Sequence, residues 1–283
     1  MDNRESIVDE GSLEGCSLNE IASRYPMQLC GRISVERYGH RFPLLIKWLD
    51  TNDDLSIQVH PDGALAASRH NSNGKTEMWY CVDAAPDAYL YNGFNTSITP
   101  ERLKTAIEQH EIISLLGKFH PRKGDVFYMP AGRIHSLGPG NLILEIQEAS
   151  DITYRIYDYN RLDTDGNPRQ LHIEESLEAL DFTVHDNSRT HIDPTPGTEI
   201  TMQQCQLFTA TLINPVAPTV LDLSHRESFT ILTAVDGNAT LTDPDGNTTS
   251  LRQGHTALVP ASMPEVSIVP DQGSCQIVTV YMS

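Results

Sequence analysis

Gln58 and His60 stand two residues apart in the strand-like run Ser56-Ile57-Gln58-Val59-His60-Pro61. Side chains alternate along a strand, so both would face one side of a sheet. Glu77 follows in Lys75-Thr76-Glu77-Met78-Trp79-Tyr80, and His135 closes a stretch spaced Gly124-x5-Pro130-x-Gly132-x2-His135. Two imidazoles, a carboxylate and an amide oxygen make a mixed nitrogen–oxygen donor set that suits Zn2+ or another divalent first-row metal. The donor set contains no thiolate that would favour a closed structural site, so a water or substrate oxygen can complete the coordination. The remaining histidines have no comparable setting and are expected to be structural or surface residues.

These groups need turns and strands to position them. Gly124 and Gly132 supply turns, and the apolar run between them reads as a strand that delivers His135 to an interior. Other strand-like runs cover 44–49, 55–59, 77–82, 126–129, 142–146 and 153–157, separated by Gly, Pro, Asn and Asp. Ser17, with Glu20 three residues on, predicts a capped helix over 18–25. Thr99-Pro100-Glu101 opens a longer predicted helix, a helical insertion at about 99–117 with Gly117 at its exit. A short acidic helix is expected over 173–180. Beyond about residue 200 nearly everything reads as short strands between turns. The pattern is mainly β, a sandwich or jelly roll rather than a βαβ fold.

An internal repeat supports two similar halves. Lys123–Gly132 and Gln253–Ser262 share the order Gly, five residues, Pro, Ala and a small residue. Turn–strand–turn segments resemble one another in general, but here the spacing agrees at several positions at once. The preferred reading is two β-barrels, the second an imperfect copy. His135 lies three residues after Gly132, whereas Glu265 lies three after Ser262, so the second barrel is expected to hold no metal.

The chain has 283 residues and a net charge of -18. So acidic a protein repels nucleic acid and anionic membranes, and neither is expected as a partner. A small anionic substrate stays open to it through a few local cations. No apolar run approaches the ~18 residues of a membrane span. Five scattered cysteines without a Cys-x-x-Cys pair suit free thiols in a reducing compartment. The opening residues also lack a secretion-signal pattern, so a cytoplasmic location is expected.

The Gly124–His135 stretch resembles the second signature motif of the cupin superfamily of small jelly rolls. Together with Phe42–Asp50, Asp54–Pro61, Gly74–Tyr80 and Ser150–Asp158, it makes the chain resemble the type I mannose-6-phosphate isomerases of the short bacterial form. Gln-x-His-Pro followed by Lys-x-Glu-Met is more specific than a generic cupin motif, which usually carries His-x-His. The resemblance implies two cupin-type jelly-roll barrels: a catalytic domain over 1–200 and a metal-free domain over 201–283. It implies one zinc ion held by Gln58, His60, Glu77 and His135. The family's catalytic arginine maps to Arg155, its lysine before the glutamate ligand to Lys75, and its acidic residue after the histidine ligand to Glu145. Ser56, Lys75 and Arg155 would bind substrate, and Glu145 would be either the base or a partner orienting a ligand. Tyr154 and Tyr157 would pack or line the cleft. The implied reaction interconverts mannose 6-phosphate and fructose 6-phosphate through a cis-enediol, in a monomer or homodimer.

Family members usually open with a further strand-forming segment carrying Trp-Gly-Gly, which this sequence lacks; lower isomerase activity is the expectation drawn from that. The rival reading from another class is a non-catalytic sugar-phosphate-binding cupin, a sensor or a decayed relative. A cupin oxygenase fits less well, because those enzymes generally use a different ligand set around iron.

Overall fold

The computed structural model describes residues 5–162, 165–186 and 188–283. The first four residues, read above for a secretion signal, lie outside these. The chain forms two compact units, one of Leu44–Ile192 and one of Met1–Pro43 with Asp193–Ser283. The opening residues therefore group with the C-terminal stretch, whereas the sequence reading placed them with the first barrel. Helix α1 (Leu18–Arg24) carries the expected capping box between Ser17 and Glu20. Helix α2 (Pro26–Tyr38) was not expected, because its apolar residues make no clear stripe and Gly31 interrupts it with φ 78°. That glycine explains the docking. The Leu29 carbonyl accepts from Ala261 N–H at 3.0 Å, and Gln28's from Ser262 N–H at 2.9 Å. A Cβ at residue 31 would overlap the Glu227 carbonyl and lie 2.8 Å from the Ser228 Cα.

The Leu44–Ile192 unit contains β1 (Leu44–Asp50), β2 (Ile57–Val59), β3 (Glu77–Ala84), β4 (Leu90–Phe94) and β5 (Leu116–Phe119). It continues with β6 (Asp125–Met129), β7 (His135–Leu137), β8 (Asn141–Glu148), β9 (Tyr154–Tyr157) and β10 (Thr190–His191). Two antiparallel sheets result, ordered β1-β8-β3-β6-β10 and β5-β4-β7-β2-β9. Trp79, Cys81, Leu90, Phe127, Leu137 and Ile143 cluster inside the barrel. Gly124, at φ 91°, lets the chain turn tightly into β6 where a Cβ would overlap the Ile192 carbonyl.

Three helices decorate this barrel. α3 (Gly63–His70), capped by Asp62, was not expected from the sequence. α4 (Pro100–Glu108) starts at the Thr99 cap as expected but ends well before 117. His110 adopts φ 60°, and a 3-10 turn over Ile112–Leu115 leads into β5, which contains Gly117. Ile112 and Leu115 are buried core residues, so the apolar spacing runs on past the true helix end. α5 (Ile173–Ala179) lies where the short acidic helix was expected.

The C-terminal barrel holds β11 (Glu199–Gln204), β12 (Phe208–Ile213), β13 (Thr219–Asp222), β14 (Thr230–Asp236) and β15 (Ala239–Thr242). Then come β16 (Thr248–Leu251), β17 (Thr256–Val259), β18 (Glu265–Pro270) and β19 (Gln276–Met282). Its sheets run β11-β12-β19-β14-β17 and β13-β18-β15-β16. Strands β12 to β19 thus repeat the pairing of β1 to β8, strand for strand. The sequence repeat sits at matching places: Gly124 N–H donates to Cys81 on β3 and Gly254 N–H to Ala234 on β14. No helix among the described residues is long and apolar enough to cross a membrane.

Candidate metal centre

Strand register brings the distant residues together. Gln58 on β2 pairs with His135 on β7 and, on its other side, with Arg155 on β9. Glu77 opens β3, between Met129 of β6 and Gln147 of β8. His60, Glu77 and His135 are buried, and their ligand atoms all lie within 4.8 Å of one another.

The tautomers follow from the backbone. His60 Nδ1 lies 3.0 Å from the Ile152 carbonyl and His135 Nδ1 lies 2.9 Å from the Arg133 carbonyl. A carbonyl can only accept, so each Nδ1 carries the hydrogen and each Nε2 offers a lone pair. Those lone pairs face a carboxylate: His135 Nε2 is 3.1 Å from Glu77 Oε1 and His60 Nε2 is 3.5 Å from Glu77 Oε2. Glu77 Oε1 is buried without a hydrogen-bond partner. Ligand atoms of two neutral imidazoles and a carboxylate this close together form a donor set that fits a divalent metal.

Burial, then the Lys75 charge, holds the His60 imidazole well below its usual range, so it is neutral. Burial opposes ionisation of Glu77, but the Lys75 ammonium beside it holds the carboxyl well below the usual carboxylate range. Lys75 itself is buried; its ammonium pairs with Glu77 and lies 3.0 Å from His60 Nε2. Gln58 turns its amide nitrogen to His135 Nε2 at 3.2 Å, while its oxygen accepts from Ser56 Oγ at 3.3 Å. The opposite amide orientation would present the oxygen to the same centre.

Arg155 shares a register with Gln58, which places it on the metal-facing side of its sheet. Its Nη1 donates to the Gln170 carbonyl at 2.9 Å, and its buried Nε has no partner. Burial and the neighbouring Arg169 lower its pKa, though the guanidinium remains charged. Glu145, on β8, accepts from Trp79 Nε1 at 3.0 Å and pairs with Lys47 Nζ at 3.0 Å. Tyr154 is buried, its hydroxyl 2.8 Å from His70 Nε2. Tyr157 packs edge-on against Tyr159.

Sequence reasoning missed Lys47, Trp79 and Gln147. The available signal was a single charge inside the apolar run Leu44–Leu49, where a charged residue is the informative exception. Lys47 Nζ also reaches Gln147 Oε1, at 2.6 Å.

In the C-terminal barrel the same register assigns Asp222 and Glu265 to the places of Gln58 and His135, because they pair with each other on β13 and β18. Thr230, opposite Val259, takes the place of Glu77, and Ser224 that of His60. That set lacks imidazole altogether.

Two jelly rolls of matching strand order, one carrying a buried His/Glu/His group at the end of a Gly-x5-Pro-x-Gly-x2-His strand, define a two-barrel cupin. Residues 3–89 match the family described as phosphomannose isomerase type I, catalytic domain, and residues 198–282 the mannose-6-phosphate isomerase cupin domain. Mannose-6-phosphate isomerase ManA of Bacillus subtilis is 36% identical over 243 residues, covering 83% of this chain and 73% of the relative. Mannose-6-phosphate isomerase of Streptococcus mutans is 40% identical over 178 residues, 63% of this chain and 54% of that protein. A crystal structure of mannose 6-phosphate isomerase from Bacillus subtilis superposes with a TM-score of 0.80 at 32% identity, covering 98% of this chain and 85% of that one. The chain belongs to the type I mannose-6-phosphate isomerase family.

Proposed function

We propose that the chain interconverts mannose 6-phosphate and fructose 6-phosphate, with zinc held by His60, Glu77 and His135 and Gln58 as the fourth ligand. The observation that carries this reading is the convergence of the buried His60, Glu77 and His135 ligand atoms within 4.8 Å of one another, with both Nδ1 atoms committed to main-chain carbonyls. The names of relatives at 36% and 40% identity supply the substrate. Zinc, when bound, supplies Lewis-acid polarisation of the sugar oxygens.

The protein's own groups do the rest. The reaction takes the proton from C2, protonates the C1 oxygen to give a cis-enediol, then returns a proton to C1 as the C2 hydroxyl loses its own. Negative charge grows on the sugar oxygens as the C2 proton leaves. Arg155, always charged and with an unpartnered Nε, is assigned to balance that charge or the phosphate. Against a net charge of -18, phosphate capture depends on such local cations, and Lys75 is the second. Ser56 supplies a hydroxyl beside Gln58, and Glu145 a carboxylate on the facing sheet. The C-terminal barrel is assigned a packing role without metal.

A coupled isomerase assay on the purified chain, with metal analysis of the same sample, tests this. Turnover with about one zinc per chain is expected. Stoichiometric zinc without turnover would favour the non-catalytic sugar-phosphate-binding reading, and neither zinc nor turnover would end both.

A further inference from the structure

Lys47, Glu145 and Trp79 form one row across three strands. Lys47 on β1 pairs with Glu145 on β8, and Glu145 with Trp79 on β3. The row shares its face with Glu77, two residues before Trp79 on the same strand. It therefore lines the barrel interior beside the metal centre. Glu145 is 5% exposed, yet both of its oxygens are held, one by the Lys47 ammonium and one by the Trp79 indole. A carboxylate has about four acceptor sites, so two remain for a ligand. Trp79 meets the His135 ring edge-on at 5.4 Å, which joins the row to the metal centre.

The second barrel provides an internal control. Leu232 pairs with Ala257 and Thr279 where Trp79 pairs with Phe127 and Glu145. Thr211 pairs with Thr279 where Lys47 pairs with Glu145. The fold thus accepts Thr211, Thr279 and Leu232 in place of lysine, glutamate and tryptophan, and all three are buried. A carboxylate as buried as Glu145, paired with a lysine whose side chain is 37% exposed, is a poor stabiliser compared with neutral packing. Fold stability alone gives no reason for the charged row in the first barrel.

We infer that Lys47 is a positioning residue of the active site: it fixes the Glu145 carboxylate so that its free acceptor sites meet a sugar hydroxyl. This rests on the isomerase reading above. Lys47 also holds Gln147, whose amide donates to the Glu148 and Ser150 carbonyls, so one ammonium fixes two neighbouring side chains of β8.

The test compares kcat and KM for Lys47→Met, Lys47→Arg, Glu145→Gln and the double variant Lys47→Met/Glu145→Gln, with zinc content and melting temperature measured on each. Lys47→Met should lower kcat/KM by ~10²-fold, as for a lost charged contact that orients the reacting groups, with zinc and folding retained. Lys47→Arg should recover most of that loss. The double variant should be no worse than the poorer single one, since both act through the same carboxylate. Wild-type kcat/KM in Lys47→Met, additive losses in the double variant, or unfolding of Lys47→Met would each overturn the inference. An unsubstituted chain without turnover would instead defeat the isomerase reading, and this inference with it.

Discussion

His60, just after β2, and His135, on the neighbouring strand β7 of the same sheet, have ring centroids 4.9 Å apart, and each aims its Nε2 at a different oxygen of Glu77. The two imidazoles are 75 residues apart in the chain numbering, yet main-chain carbonyls fix both in the same tautomer. Orientation here is a backbone property, set before any cation arrives.

His135→Ala is expected to abolish stoichiometric zinc while the barrel stays folded, because the apolar interior rather than the metal carries the packing. Metal analysis and circular dichroism on the same sample check this. Retained zinc would remove His135 from the ligand set.

Arg155→Ala should lower kcat/KM by on the order of 10²-fold or more and leave zinc content unchanged, since a charged contact that strengthens toward the transition state is lost. Steady-state kinetics with metal analysis read this out. An unaltered rate would dismiss Arg155 from the reaction.

His172 gives a pH dependence of stability. Burial, with the Arg155 charge adding to it, lowers its pKa, while its Nδ1 accepts the Arg155 main-chain N–H at 3.2 Å. The unfolded ring therefore binds a proton at a higher pH than the folded one. Stability rises with pH between the folded value and about 6.5, and is lost as pH falls through that window. Urea unfolding at several pH values should show this loss, and His172→Gln should flatten it. Equal acid sensitivity in the variant would assign the effect elsewhere.

Gly31→Ala should destabilise the unit that contains α2 by ~1–3 kcal/mol, because a side chain at positive φ meets the Glu227 backbone. A denaturant midpoint equal to wild type would show that the helix can shift away without cost.

Much of the metal centre was legible because its residues lie in short local patterns. Gln58 and His60 alternate on one strand, and His135 is tied to two turn glycines. The Ser17–Glu20 capping box was readable for the same reason. Lys47 was not, because its meaning depends on which residue of β8 lies opposite, and register between β1 and β8 spans about a hundred residues of chain. Helix α2 escaped because Gly31 interrupts it, and its partners Glu227, Ala261 and Ser262 are remote. The early end of α4 was hidden by Ile112 and Leu115, whose spacing continues an apolar stripe after His110 has broken the helix. Local grammar was readable; pairing at a distance was not.

The discontinuous unit has a consequence for how the protein is made. As the ribosome delivers the chain from its start, Leu44–Ile192 has all its own strands once residue 192 has emerged. Helix α2 has left the ribosome long before then, yet its hydrogen-bond partners, Ala261 and Ser262, are synthesised well after residue 192. When residue 192 emerges, Leu29 and Cys30, fully or nearly buried in the finished protein, have none of their unit's strands to cover them. Newly made chains stalled short of residue 261 therefore present Leu29 and Cys30 to whatever first meets them, such as a chaperone or another nascent copy. Strands β17 to β19 end that exposure.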